Sequence, residues 1–183
     1  MTTTTTTTSQ PTSIRPKSCR TVDSPVGPLV LAGRDGTLTN LRMQDQTHPP
    51  ADRAEWRLDP GAFDDVAAQL DEYFAGERTT FEIELDLEGT DFQCQVWAAL
   101  LDIPHGETRS YGELARAIGR PGAARAVGLA NGHNPIGIIV PCHRVVGADG
   151  SLTGYGGGLG RKRVLLDLEQ GQSTPRLPVP GAV

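Results

Sequence analysis

No apolar run in this 183-residue chain approaches the roughly 20 residues needed to span a bilayer. Met1 opens onto a threonine tract with no cationic start, no apolar core and no cleavage site, so the expectation is a soluble, cytoplasmic protein. Cysteine is scarce. Cys19, Cys94 and Cys142 form an odd, widely spaced set without a C-x-x-C pair, which excludes a secreted disulfide framework and points to a reducing interior. The G-x-x-x-x-G-K-[ST] pattern is missing, so the glycine-rich stretch 147–160 is not read as a phosphate cradle. Cys19 and His48 are too few to close a tetrahedral site in the first half of the chain, and no metal is expected there. Positive charge is also short, with a net charge of −5, but unevenly so. Residues 1–90 carry 8 Lys and Arg against 15 Asp and Glu, whereas residues 91–183 carry 9 against 7. The second half is the better candidate for meeting a polyanion.

What the chain does contain falls into two halves. Residues 1–16 are of low complexity and cannot bury enough apolar surface to offset ordering, so they read as a disordered tail. From Arg20 to Met43 short apolar runs are broken by Ser24–Pro28 and Gly33–Gly36, predicting a small antiparallel sheet. Phe63, Val66, Ala67, Leu70, Tyr73 and Phe74 recur at helical spacing and predict a helix over 60–75 that Gly76 ends. Phe81, Ile83, Leu85 and Leu87 alternate with Glu82, Glu84, Asp86 and Glu88, the pattern of a half-buried strand. The Gly89-Thr90 break then separates an N-terminal domain over 17–89 from a second domain over 90–170, with a loose tail over 171–183.

In the second domain Thr90 or Asp91 caps a helix running to Leu101, and Ser110 with Glu113 forms a capping box for a helix over 111–118. A sharp turn at Gly119–Gly122 leads into a short helix over 123–131, and two short helices joined this way suggest a helix-turn-helix. The apolar run Ile136–Val140 predicts a buried strand that delivers Pro141 and Cys142, and a last helix spans 161–169. The fold class expected is α+β: a small N-terminal antiparallel sheet with a helix, then a mostly helical domain with a helix-turn-helix and a short active-site strand.

A free cysteine is most often a small buried core residue. Cys142 is singled out by its company. A thiol becomes a useful nucleophile only when a neighbouring base or positive field makes thiolate, and His143 follows directly. Adjacent residues on an extended strand point to opposite faces, so contact between the two needs a water or a local bend. Glu169, at the end of the last helix, is placed to orient His143 in the acid-histidine-cysteine order.

Together, Asn134-Pro135, Pro141-Cys142-His143-Arg144-Val145, Gly154-Tyr155-Gly156-Gly157-Gly158, Ser110-Tyr111 and Arg125-Ala126-Val127-Gly128 resemble the O6-alkylguanine-DNA alkyltransferases. The resemblance is strong over 90–169, and 17–88 is compatible with that family's smaller, variable N-terminal domain. It implies direct-reversal DNA repair without a cofactor: Cys142 takes the alkyl group from O6 of guanine, and from O4 of thymine, irreversibly and once. His143 and Glu169 would form the thiolate through a water. Tyr111 would donate a proton toward guanine N3, and Arg125, with Ala126 beside it, would enter the duplex and fill the gap left by the flipped base. Asn134, Val145, Tyr155 and Gly156 would form the pocket and hinge, and Arg144 would meet DNA. The implied partner is double-stranded DNA read in the minor groove by a monomer, cooperatively along the duplex.

Two departures from some relatives bear on the pocket. Gly156 stands where they have serine and Gly137 where they have proline, which implies a roomier pocket and tolerance of bulky O6 adducts. A non-catalytic binding module of the same fold lacks the cysteine that this chain has at 142. An alkylation-responsive regulator carries further DNA-binding and metal-binding segments for which there is no room here, and a thiol hydrolase would need turnover.

Overall fold

The computed structural model describes residues 15–172. The proposed tails fall outside it over 1–14 and 173–183. Strand β1 (Ser18–Val22) pairs antiparallel with β2 (Leu29–Arg34), and β2 pairs antiparallel with β3 (Thr37–Met43). The β2–β3 loop is the two-residue Asp35-Gly36, with φ of 50° and 88°, a twist that matches a right-handed hairpin. A two-residue strand β4 (Arg57–Leu58) adds on in parallel beside β1, so the sheet is mixed, in the order β3-β2-β1-β4.

Helix α1 (Asp64–Phe74) starts later than its apolar spacing suggests. Asp59 takes the preceding residues into a turn, its side chain accepting from Gly61 N at 3.1 Å and its carbonyl from Ala62 N. Val66, Leu70 and Tyr73 form its buried stripe. The stretch 81–87 alternates half-buried and exposed residues as expected, but forms no full strand. It makes one parallel bridge, Leu85 to Leu38 on β3.

Helix α2 (Asp91–Leu101) begins in a capping box of Thr90 and Gln93. A short strand β5 (Arg109–Ser110) leads into α3 (Tyr111–Ala117), where the Ser110–Glu113 capping box forms as read from the sequence. Helix α4 (Ala124–Gly132) follows a turn through Gly119, at φ 71°, and completes the helix-turn-helix. The indole of Trp97 on α2 donates to Ala130 O on α4 at 2.8 Å. Strand β6 (Val145–Val146) pairs in parallel with β5, and α5 (Leu159–Glu169) closes the domain.

One apolar core runs through both halves, from Leu29, Leu31 and Leu41 through Val66 and Leu70 to Val96, Trp97, Ile136, Val140 and Leu165. No helix of the described residues is long and apolar enough to cross a membrane.

Candidate active site

The run Ile136–Val140 is not a strand. It is a tight set of turns: Ile139 N donates to Gly137 O at 2.9 Å, Val140 N to Ile136 O at 3.0 Å and Cys142 N to Val140 O at 2.8 Å, with Ile138 in the left-handed region at φ 70°. Among the described residues its only ladder contact is the bridge from Ile136 to Leu41 on β3. The run is apolar because it is buried on every side, a condition that periodicity alone does not separate from a strand. Asn134 holds the turns together. Its amide donates to Val140 O at 2.8 Å and its oxygen accepts from Ile136 N at 3.0 Å.

The chain leaves these turns through Pro141 into a single 3₁₀ turn, Cys142–Arg144, and this is the local bend that the sequence called for. Asn131, at the end of α4, donates to Cys142 O at 3.3 Å. Cys142 is 5% exposed. Burial pushes its thiol up, while a hydrogen bond from Asn134 and the ammonium of Lys162 pull it back toward thiolate.

His143 is wholly buried, and its Nε2 lies 2.8 Å from Glu169 Oε1. A carboxylate only accepts, so Nε2 carries the proton and Nδ1 carries the lone pair. That Nδ1 is buried without a hydrogen-bond partner among the described residues, a basic nitrogen one residue from the thiol. Burial lowers the histidine's affinity for a proton, and Glu169 opposes that. The resting pair is therefore thiol and neutral imidazole.

Glu169 is the hub. Oε1 accepts from His143, from Tyr73 Oη on α1 at 2.8 Å and from Arg144 Nη2 at 2.9 Å, while Oε2 accepts from Arg144 Nε at 2.8 Å and from Gly106 N at 3.1 Å. Burial alone would raise this carboxyl, but His143 and Arg144 hold it well below the usual carboxylate range.

Arg144 is misplaced by the sequence reading. It is 6% exposed, forked onto Glu169, with Nη1 donating to Ile103 O at 2.6 Å. Its guanidinium is spent inside the protein rather than presented to phosphate. Of the three basic residues near the start of α5, Arg163 is exposed, while Arg161 and Lys162 are engaged by the protein itself. Arg161 donates to Val26 O and Gly157 O and pairs with Asp45, while Lys162 is wholly buried, with Nζ on Val145 O at 2.5 Å and Thr153 O at 2.6 Å.

Burial brings Lys162 down to about 8. Unfolded, the amine keeps its proton to about 10.4. Between those two values the unfolded chain binds the extra proton, so stability rises with pH across that window. Lys162→Met is expected to flatten the rise, read from urea midpoints measured across it.

The loop after β6 carries Tyr155 and receives the hydroxyl of Tyr111 from α3. Tyr111 Oη donates to Thr153 O at 3.0 Å and lies 3.2 Å from Gly154 O, and its ring rests on Gly128 of α4, where a Cβ would sit 3.6 Å from it. Burial raises both Tyr111 and Tyr155, and a Cys142 thiolate would raise each further. Val145 is fully buried in β6. Arg125 and Ala126 are exposed on α4 with Leu129, while Val127, Ala130 and Asn131 are buried, and Arg125 makes no ion pair among the described residues.

The two glycine departures do not widen the pocket. A Cβ on Gly156 would point to Gly132 O, Thr47 Oγ1 and Gln46 Cγ at 3.3–3.4 Å, and one on Gly137 to Leu41 O at 3.6 Å. The Gly156 direction meets the end of α4 as well as the N-terminal domain, and the Gly137 direction meets β3. The N-terminal domain also braces the loop: Thr47 N donates to Gly156 O at 3.1 Å, and a side chain at Gly157 would collide with Met43.

Tyr73, Asn131 and Lys162 escaped the sequence reading. A signal was present for two of them. Lys162, Leu165, Leu166 and Glu169 stand at i, i+3, i+4 and i+7 on α5, so both charges share its buried face, and Tyr73 ends the apolar stripe of α1 with a polar tip.

Compared with known proteins, residues 91–171 match the family described as "6-O-methylguanine DNA methyltransferase, DNA binding domain", and residues 18–87 match "6-O-methylguanine DNA methyltransferase, ribonuclease-like domain". The methylated-DNA–protein-cysteine methyltransferase of Mycobacterium tuberculosis is 68% identical over 154 residues, 84% of this chain and 93% of that protein. The protein of the same name from Methanosarcina barkeri is 50% identical over 149 residues, 81% of this chain and 94% of that one. Among solved structures, that of Mycobacterium tuberculosis OGT in complex with DNA superposes with a TM-score of 0.81 at 67% identity, covering 84% of this chain and 93% of that one.

Proposed function

Since the chain belongs to the 6-O-methylguanine DNA methyltransferase family, we infer that Cys142 is the residue that takes the alkyl group. The protein is a methylated-DNA–protein-cysteine methyltransferase that repairs DNA by direct reversal. The observation that carries the assignment of Cys142 is the adjoining His143, with Nε2 fixed by Glu169 and Nδ1 buried without a hydrogen-bond partner among the described residues.

In the reaction we propose, the thiol proton passes to His143 Nδ1 through one water, and Glu169 holds the resulting imidazolium. Glu169 already accepts from Arg144, Tyr73 and Gly106, so it stays ionised and takes no proton itself. The thiolate attacks the alkyl carbon bound to O6, a C–S bond forms, the C–O6 bond breaks, and its electron pair leaves with guanine. Tyr111, over Gly128 and against the loop carbonyls, donates toward guanine N3 as that charge builds. The thioether does not turn over, so each molecule acts once. Guanine O6 and thymine O4 both present an alkyl carbon to the same thiolate. The presence of Cys142 in this setting speaks against a purely binding role.

An alkyl group on O6 lies inside the stack, so the base must be extruded at a cost of a few kcal/mol. The exposed face of α4 suits the minor groove. The small side chain of Ala126 lets the helix approach the groove closely, and Arg125 is placed to fill the gap. A monomer in the cytoplasm meeting duplex DNA, with neighbouring copies assisting one another, completes the reading. Arg125→Ala is expected to slow repair of a duplex by about 10- to 100-fold, the share of the flipping cost it offsets. Reaction with free O6-benzylguanine, which needs no flipping, should be unchanged, and single-turnover rates on both substrates check this.

The assignment is tested by mass spectrometry after incubation with a duplex containing O6-methylguanine. One added methyl on the Cys142 peptide, never more than one per molecule, is expected. Multiple turnover, or a methyl on another peptide, would refute it.

A further inference from the structure

Glu169 Oε1 is shared. It accepts from His143 Nε2 at 2.8 Å and, at the same distance, from the hydroxyl of Tyr73, which comes from α1 in the other half of the chain. Both side chains are buried, and 96 residues separate Tyr73 from Glu169. The tyrosine ring packs against Phe74, Phe81 and His105, with centroids at 5.2, 5.4 and 6.2 Å. A buried tyrosine needs some acceptor for its hydroxyl. Here the acceptor is the oxygen that orients the histidine.

We propose that Tyr73 is a positioning residue for alkyl transfer: its hydrogen bond draws charge from Glu169 Oε1 and so sets how strongly that carboxylate holds His143. This rests on the reading of Cys142 and His143 above. A carboxylate has about four lone-pair directions, and Glu169 receives five donors, so the donors compete. Tyr73 and His143 compete for the same atom. Removing the phenolic donor concentrates negative charge toward His143 and favours its imidazolium. The other groups facing this cluster are fixed in the comparison: Arg144 on Glu169, Lys162 and Cys142 near His143, and His105 and Tyr155 near Tyr73.

The N-terminal domain therefore contributes to the chemistry as well as to the packing. Its contribution has a direction. Tyr73→Phe keeps the ring and deletes the donor, and the midpoint at which His143 takes up its proton should move to higher pH. The energy of one ordinary hydrogen bond corresponds to about a threefold to tenfold change in that proton affinity.

The experiment follows the His143 ring by nitrogen-detected NMR as a function of pH in wild type, Tyr73→Phe and Phe81→Leu, with the transfer rate from an O6-methylguanine duplex measured on the same samples. Phe81→Leu loosens the tyrosine's packing without touching its hydroxyl. Support is an upward shift of the His143 midpoint in Tyr73→Phe that Phe81→Leu does not reproduce, accompanied by a matching displacement of the acid limb of the rate profile. An unchanged midpoint, a downward shift or an equal shift in both variants would overturn the proposal, whatever the rates do. Wild type that takes up no methyl would overturn the functional reading alone, since the titration needs no substrate.

Discussion

Cys142→Ser is expected to abolish methyl uptake while leaving the fold and DNA binding in place. The side chain is buried in a 3₁₀ turn whose shape is set by neighbours: Asn131 on its carbonyl, and Asn134 on the turns before it. A serine fits the same space, and its hydroxyl can use the Asn134 partner, so the stability change should be about 1 kcal/mol or less. The chemistry does not survive the exchange. Even with Asn134 and Lys162 pulling toward the anion, burial holds the thiol up, and a hydroxyl begins far less acidic than a thiol. The test is paired: intact-mass measurement after exposure to alkylated duplex, and a gel-shift titration of the same protein. A serine variant that acquires a methyl at position 142, or loses DNA binding with it, would show that the residue does something other than act as the nucleophile.

Glu169→Gln should produce the largest loss of stability of any single change in the site, about 3–5 kcal/mol. Arg144 is the reason. Its guanidinium is buried and forked onto the carboxylate, so removing the negative charge leaves a positive one uncompensated. Transfer should slow as well, by about 10²–10⁴-fold, because His143 loses the partner that fixes its tautomer. Acid provides an independent check. Glu169 is held well below its unfolded value, so the stability it contributes is complete above about pH 4.3. That contribution is lost as pH falls through the folded value. The variant's urea midpoint should therefore fall less than that of wild type on acidification. Equal slopes would mean that the carboxylate is not the group that couples acid to unfolding.

How much of this was legible in the sequence depends on whether the deciding interactions are local. The capping boxes at Thr90 and Ser110 are written within four residues of chain, and both form. The alternation over 81–87 predicted correctly which residues face inward, while the single bridge at Leu85 depends on where β3 ends up. The run before Cys142 was read as a strand because five apolar residues in a row satisfy either a buried strand or a buried turn, and what selects the turn is the side chain of Asn134. Arg144 was read as meeting DNA and Lys162 was passed over, because charged residues seldom enter a core unpaired. Their partners, Glu169 for the arginine and the carbonyls of Val145 in β6 and of Thr153 for the lysine, lie 25, 17 and 9 residues away. The helical phase of α5 held part of that answer, since it puts Lys162 and Glu169 on one face with Leu165.

The two bridges along β3 also bear on how the protein can be divided. Leu38 is met by Leu85 from before the Gly89-Thr90 break, but Leu41 is met by Ile136 from well beyond it. A chain cut at the break would leave the Leu41 end of β3 with a bare row of amides and carbonyls. Such an edge is a template for another strand, and the nearest supply is the same edge on other copies. Halves produced separately should therefore self-associate through the sheet before they find one another, and aggregation would set the limit on reconstituting the protein from its parts.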